Sequence, residues 1–108
     1  LIVSTGMCDL VDVMEAVACC ERNGNSEIAL LQCVALYPPQ PADVNLAVMD
    51  TFRRAFSYPV GYSDHALGTT MALAAAGHLG AGPGAGVGAS PSCRTSGPPA
   101  AVWMMARI

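Results

Sequence analysis

Apolar residues in the first part of the chain alternate between short unbroken runs and stripes of helical spacing. Leu1-Ile2-Val3 leads into the small residues Ser4-Thr5-Gly6. Leu10, Val13, Met14 and Val17 then recur three and four positions apart, the stripe of an amphipathic helix. Asp9 is placed to cap that helix, Asp12 adds negative charge to its first turn, and Asn23-Gly24-Asn25 ends it. A second unit opens with Ile28-Ala29-Leu30-Leu31-Gln32-Cys33-Val34, whose almost continuous apolarity suits a strand covered on both faces. Three prolines stiffen the following loop, Tyr37 to Pro41. Asp43 then suits the N-cap of a helix with Leu46, Met49, Phe52 and Phe56 on its inner side. The third unit runs from Val60 to His65, with a helix near Thr69 to Leu79 and a stop at Gly80. Strand starts near Leu1, Ile28 and Pro59 lie roughly 27 to 31 residues apart, the length of a strand plus its crossover helix. Strict alternation of this kind predicts an α/β fold on a parallel sheet. An open doubly wound sheet and a closed barrel both satisfy it.

The rhythm stops at Gly82. Five glycines and four prolines punctuate residues 82–108, and all eight acidic residues lie at or before Asp64. The chain therefore divides into an ordered part, residues 1–81, and an irregular Gly/Pro-rich tail in which only Ala100 to Ile108 has the makings of a short helix. A length of 108 residues allows one domain or a piece of a larger one. An apolar fraction of 53% with only 12% charged residues fits a chain buried on many sides better than a small free-standing domain.

Charge and cysteine content narrow the classes further. A net charge of -3 and the absence of lysine exclude a binder of phosphate backbones, so nucleic acid is not an expected partner. The five cysteines are odd in number and form no CxxC pair. They read as reduced, small hydrophobic residues of a cytoplasmic protein. No charged segment followed by an apolar core opens the sequence, which gives no support for a signal peptide. The Ala/Gly-rich run from Met71 to Ala89 is broken by His78 and Pro83 and is a poor membrane span, so no membrane partner is expected.

Candidate chemistry gathers at the ends of the three strands. In Gly61-Tyr62-Ser63-Asp64-His65, residues two apart share a face, so Gly61, Ser63 and His65 point one way and Tyr62 and Asp64 the other. Consecutive Ser63, Asp64 and His65 cannot converge as a hydrolytic triad. A neutral imidazole at a strand end is a reasonable metal ligand if other strands supply partners, and otherwise an ordinary loop histidine. Ser4 occupies the matching end of the first strand, where a hydroxyl either holds phosphate oxygens or satisfies the backbone at helix entry. Tyr37 offers an aromatic face and a hydroxyl to a sugar or acyl group, or packs on its prolines. Ser4, Ala35, Gly61 and Ser63 are all small and leave room for a ligand. His78 has no expected role, and Arg53 and Arg54 read as the solvated edge of their helix.

Three segments together carry a family resemblance: Ile2-Val3-Ser4-Thr5-Gly6-Met7; Leu31-Gln32-Cys33-Val34-Ala35-Leu36-Tyr37-Pro38 with Asp43-Val44-Asn45-Leu46; and Pro59-Val60-Gly61-Tyr62-Ser63-Asp64-His65. In content, order and spacing they resemble the sialic acid synthase (N-acetylneuraminate synthase) family, from about Leu1 to Ala81. The resemblance implies part of a TIM (β/α)8 barrel, with these strands as the fifth, sixth and seventh. It implies condensation of phosphoenolpyruvate with N-acetylmannosamine or its 6-phosphate, in a parent enzyme that is a homodimer. It also implies a divalent ion, Mn2+ or Mg2+, held by two histidines. Carried over by motif, His65 is one metal ligand, Ser4 and Ser63 bind the phosphate of phosphoenolpyruvate, and Tyr37 contacts the amino sugar. The alternatives are another phosphoenolpyruvate-dependent aldol synthase on the same barrel and a non-catalytic truncated product.

Departures from the family pattern bear on activity. Ala35 stands where Asn or Ser helps to hold phosphate. Gly82-Pro83-Gly84-Ala85-Gly86 replaces the Glu-Lys-His-Phe-type motif that supplies the second histidine, as a shifted reading frame or a chimeric gene end would produce. The chain also lacks the barrel's first strands and the lysines that bind phosphoenolpyruvate. The expectation is a fragment that is inactive alone.

Overall fold

The computed structural model describes residues 1–80. The elements alternate as the pattern predicts: β1 (Ile2–Ser4), α1 (Leu10–Arg22), β2 (Ala29–Cys33), a single 3-10 turn (Pro41–Asp43), α2 (Val48–Ala55), β3 (Val60–Ser63) and α3 (Thr70–Gly80). The three strands form one parallel sheet in the order β1-β2-β3. β2 is central, which is why its apolar run is the longest. Expectations for the tail beyond Gly82, including a helix at Ala100 to Ile108, fall outside the described residues.

Register fixes which side chains meet. Val3 pairs with Leu30, and Leu30 with Val60; one row further, Ser4 pairs with Leu31, and Leu31 with Gly61. Leu30, Val60 and Tyr62 are buried with Val13 and Val17 of α1, Met49 and Phe52 of α2, and Ala75 of α3. That side of the sheet is the core. Ser4, Leu31, Gly61, Cys33 and Ser63 alternate with these residues and lie on the opposite face.

α1 begins where the sequence predicts. The Asp9 carboxylate accepts from the Asp12 backbone N–H at 2.9 Å, and the Asp12 carboxylate accepts from the Asp9 N–H at 3.0 Å, a reciprocal capping box. Asn23 caps the far end, and Gly24 follows with φ +79, a left-handed conformation that glycine adopts without steric cost. Replacing Asp9 with Ala leaves the Asp12 amide without its acceptor. The expected loss is about 1 kcal/mol of stability, read as a lowered urea midpoint at unchanged slope.

Four expectations are corrected. Asp43 does not cap α2. Its carboxylate accepts from the Gln40 N–H at 3.2 Å and closes the 3-10 turn, and α2 starts only after Asn45, whose φ of 44° interrupts the helical path. Arg53 is not solvated: its guanidinium donates to Asp50 Oδ1 at 3.0 Å and to the His78 carbonyl at 3.3 Å. His78 correspondingly has a structural role, with Nε2 2.9 Å from Asp50 Oδ2, so the trio ties α2 to α3. Arg54 is exposed as expected. Finally, Cys8 and Cys19 are exposed rather than packed, whereas Cys20 adjoins the core; all four described cysteines are free. No helix among the described residues is long and apolar enough to cross a membrane.

Candidate functional site

Strand pairing brings the candidate residues to one end of the sheet. Ser63 is the last residue of β3 and pairs with Cys33, the last of β2; both lie on the face opposite the core. Ser63 is 6% exposed, and its Oγ lies 3.2 Å from His65 Nε2, a hydrogen bond in which either atom donates according to the imidazole tautomer. The i, i+2 alternation therefore survives past the strand and places hydroxyl and imidazole together, as the sequence predicts. His65 itself stands in the loop, since β3 ends at Ser63.

Tyr37 joins them from the loop after β2. Its ring meets the imidazole of His65 edge to face, with centroids 4.6 Å apart, and the side chain remains 71% exposed. β2 stops at Cys33, so Tyr37 does not belong to the strand. The tyrosine reaches the site through the turn that follows, with a cis Tyr37–Pro38 peptide.

Ser4 lies at the end of β1 on the same face, in the row that also holds Leu31 and Gly61. Two strand spacings, about 10 Å, separate it from Gly61. Its side chain is exposed. The neighbouring Thr5 does the backbone work, its buried hydroxyl donating to the Leu31 carbonyl at 2.9 Å. Gly6 lies against Cys33 and Ala35 at ordinary packing distance. A Cβ there would sit 3.5 Å from the Ala35 Cβ and 3.6 Å from Cys33 Sγ, so the small residues at 6 and 35 pack on each other as well as leaving space. His65 thus touches both Tyr37 and Ser63, and Ser4 stands across the sheet from them.

Asp64 and Tyr62 were assigned no part by sequence. Asp64 Oδ1 accepts from the Tyr62 hydroxyl at 3.1 Å and from the Ala66 N–H at 2.9 Å, so the carboxylate makes no bond to His65 and no triad forms. Burial, then the hydrogen bond to Asp64, pushes the Tyr62 phenol well above its ordinary pKa and keeps it a donor. The Asp-x-Ala sequence after a buried tyrosine was the available signal, because Asp commonly accepts from the amide two residues on. Cys33, opposite Ser63, was the other residue missed.

The region is poor in charge and in metal ligands. Arg53 is committed to the α2–α3 junction, and the chain has no lysine. Among the described residues no group of three His, Cys, Asp or Glu side chains converges. His65 offers one imidazole, and His78 is held against Asp50. One imidazole nitrogen does not amount to the ligand set of a catalytic ion, so the described residues alone do not fit a bound metal. A separate cavity of about 300 Å3, lined by Thr5, Cys8, Gln32, Cys33 and Thr51 among others, lies beside the β1–α1 turn and does not include Tyr37, Ser63 or His65.

Comparisons with known proteins give this geometry a context. The N,N'-diacetyllegionaminic acid synthase of Legionella pneumophila is 46% identical over 81 residues, covering 71% of this chain and 23% of that one. The crystal structure of the spore coat polysaccharide biosynthesis protein SpsE of Bacillus subtilis superposes with a TM-score of 0.68 at 40% identity, over 73% of this chain and 22% of that one. The N-acetylneuraminic acid synthetase of Leptospira borgpetersenii, solved with citrate, gives a TM-score of 0.65 at 32% identity, over 68% of this chain and 26% of its own. The chain spans 20% to 23% of the length of the first curated relatives it matches. The family model for NeuB matches residues 1–82, and the chain belongs to the NeuB family.

Proposed function

We propose that residues 1–81 form one wall of a nonulosonic acid synthase that condenses phosphoenolpyruvate with an N-acylated mannosamine sugar. In that reaction C3 of phosphoenolpyruvate bonds to the sugar aldehyde carbon, water adds at C2, and inorganic phosphate leaves a nine-carbon 2-keto acid. The observation that carries the proposal is the convergence of Tyr37, Ser63 and His65 at the strand ends, in a chain whose relatives include a diacetyllegionaminic acid synthase and a sialic acid synthetase. β1, β2 and β3 would be strands five to seven of a closed (β/α)8 barrel, with the Ser4–Ser63 face turned to its interior.

The chain's own residues have definite tasks in this reading. Ser63 is buried and turned toward the imidazole, so its hydroxyl is oriented before a ligand arrives and can donate to a phosphate oxygen. Ser4, exposed across the sheet, can donate to another. Tyr37 keeps most of its ring accessible and would lie against the N-acyl sugar. His65 would give one nitrogen to a Mn2+ or Mg2+ ion whose remaining ligands come from outside the described residues; bound there, the ion would polarise the aldehyde as a Lewis acid. Its free cysteines suit the reducing cytoplasm.

The same account makes the isolated chain inactive. It holds no lysine for the phosphate and carboxylate of phosphoenolpyruvate, and a single described imidazole at the site. Phosphate release from phosphoenolpyruvate, N-acetylmannosamine and Mn2+ is expected to match that of a His65→Ala control. Turnover above the control would overturn the inactivity; release with an unacetylated sugar phosphate instead would favour another aldol synthase.

A further inference from the structure

Residues 62–66 alternate between two environments. Tyr62 belongs to the core on the helix side of the sheet, and its hydroxyl extends to Asp64 Oδ1 at 3.1 Å. The same oxygen accepts from the Ala66 amide at 2.9 Å, and Ala66 is buried. Between these anchors, Ser63 and His65 face the other way and touch each other, and His65 also meets Tyr37.

The sheet cannot set the position of His65 by itself, because the ladder between β2 and β3 ends at the Cys33–Ser63 pair. Beyond Ala66 the chain is open: Leu67 is exposed, and Gly68 has φ +80 with nothing near the position of a Cβ. Asp64 is therefore the last restraint before a free loop. We infer that Asp64, braced by Tyr62, is a positioning residue that holds the His65 imidazole between Ser63 and Tyr37. It acts as a hydrogen-bond acceptor: a single oxygen takes both bonds, and an amide carbonyl in its place would take the same two. A buried tyrosine that stays protonated is a dependable donor to it. The inference deepens the synthase reading and rests on it for the purpose of the imidazole, although the restraint itself needs neither substrate nor metal.

The chain has two histidines, so proton NMR of the whole 108-residue protein, with His78→Gln for assignment, isolates the His65 ring. The native chain is expected to show an Overhauser effect between the His65 and Tyr37 rings and a ring-current displacement of the His65 proton shifts. Asp64→Ala should lose both while the Leu30 methyl shifts stay in place. Asp64→Asn should restore both, which a general loss of structure would not allow. Tyr62→Phe keeps the ring in the core, removes only the donor, and should weaken the Overhauser effect. Absence of the ring contact in the native chain, its survival in Asp64→Ala, or failure of Asp64→Asn to restore it would each overturn the inference. Should Asp64→Ala unfold, an undiminished effect in Tyr62→Phe would do the same. Because no substrate is present, failure of the synthase reading in phosphate-release assays remains distinct from failure here.

Discussion

Leu30→Ala is expected to abolish cooperative unfolding of the chain at 25 °C. Leu30 is 0% exposed in the central strand, with Val3 beside it in β1 and Val60 beside it in β3. It shares one core cluster with residues of all three helices, Val13 and Val17, Met49 and Phe52, and Ala75. Shortening such a leucine removes transfer free energy and leaves a cavity that rigid neighbours fill only in part, together about 2–5 kcal/mol. Small domains have about 5–15 kcal/mol at best, and one of this length buries a modest fraction of its surface, so the loss takes most of the available stability. Leu36→Ala is the matched control. Leu36 is 53% exposed in the loop after β2, and its removal should move the midpoint by no more than about 0.5 kcal/mol. Urea unfolding followed by circular dichroism separates the two. Equal midpoints for both variants would mean that β2 is not the centre of the core.

The order of elements was legible in the sequence because it depends on local pattern. Apolar runs and stripes gave three strands and three helices in alternation, and the Asp9 cap rests on a side chain and an amide three residues apart. The Ser63–His65 contact was legible for the same reason, since period-two alternation persists just past the strand. Contacts between distant segments were not. Tyr37 reaches His65 only because β2 ends at Cys33 and the chain turns back, which no periodicity encodes. Asp43 faced two competing uses, helix cap or turn closure, and the amide of Gln40 was the nearer donor. Arg53 looked like a solvated cation because its partners are Asp50, one helical turn away, and a carbonyl on α3 that only the tertiary fold supplies. The roles of Ser4, Tyr37, Ser63 and His65 came from resemblance; the structure contributes their arrangement.

His65→Ala is the second large effect, and it is read in a context that supplies the rest of the pocket. Residues 1–81 of this chain can replace the matching segment of the Legionella pneumophila diacetyllegionaminic acid synthase, which is 46% identical over 81 residues. Within that hybrid the imidazole is expected to act where charge develops on the aldehyde. Its loss should lower kcat by about a hundredfold or more, the scale of removing one preorganised electrostatic group. Ser63→Ala removes one hydrogen bond to phosphate and should cost less, chiefly as a higher KM for phosphoenolpyruvate.

The hybrid also provides the most direct measurement of the central claim, that residues 1–81 encode a working wall of a nonulosonic acid synthase. The quantity to follow is phosphate release from phosphoenolpyruvate in the presence of the Legionella enzyme's own sugar and Mn2+. The account predicts a hybrid that turns over, and that falls by about a hundredfold or more when His65 becomes Ala. A hybrid that folds with an unchanged thermal midpoint yet releases no phosphate, or one indifferent to His65→Ala, would contradict it.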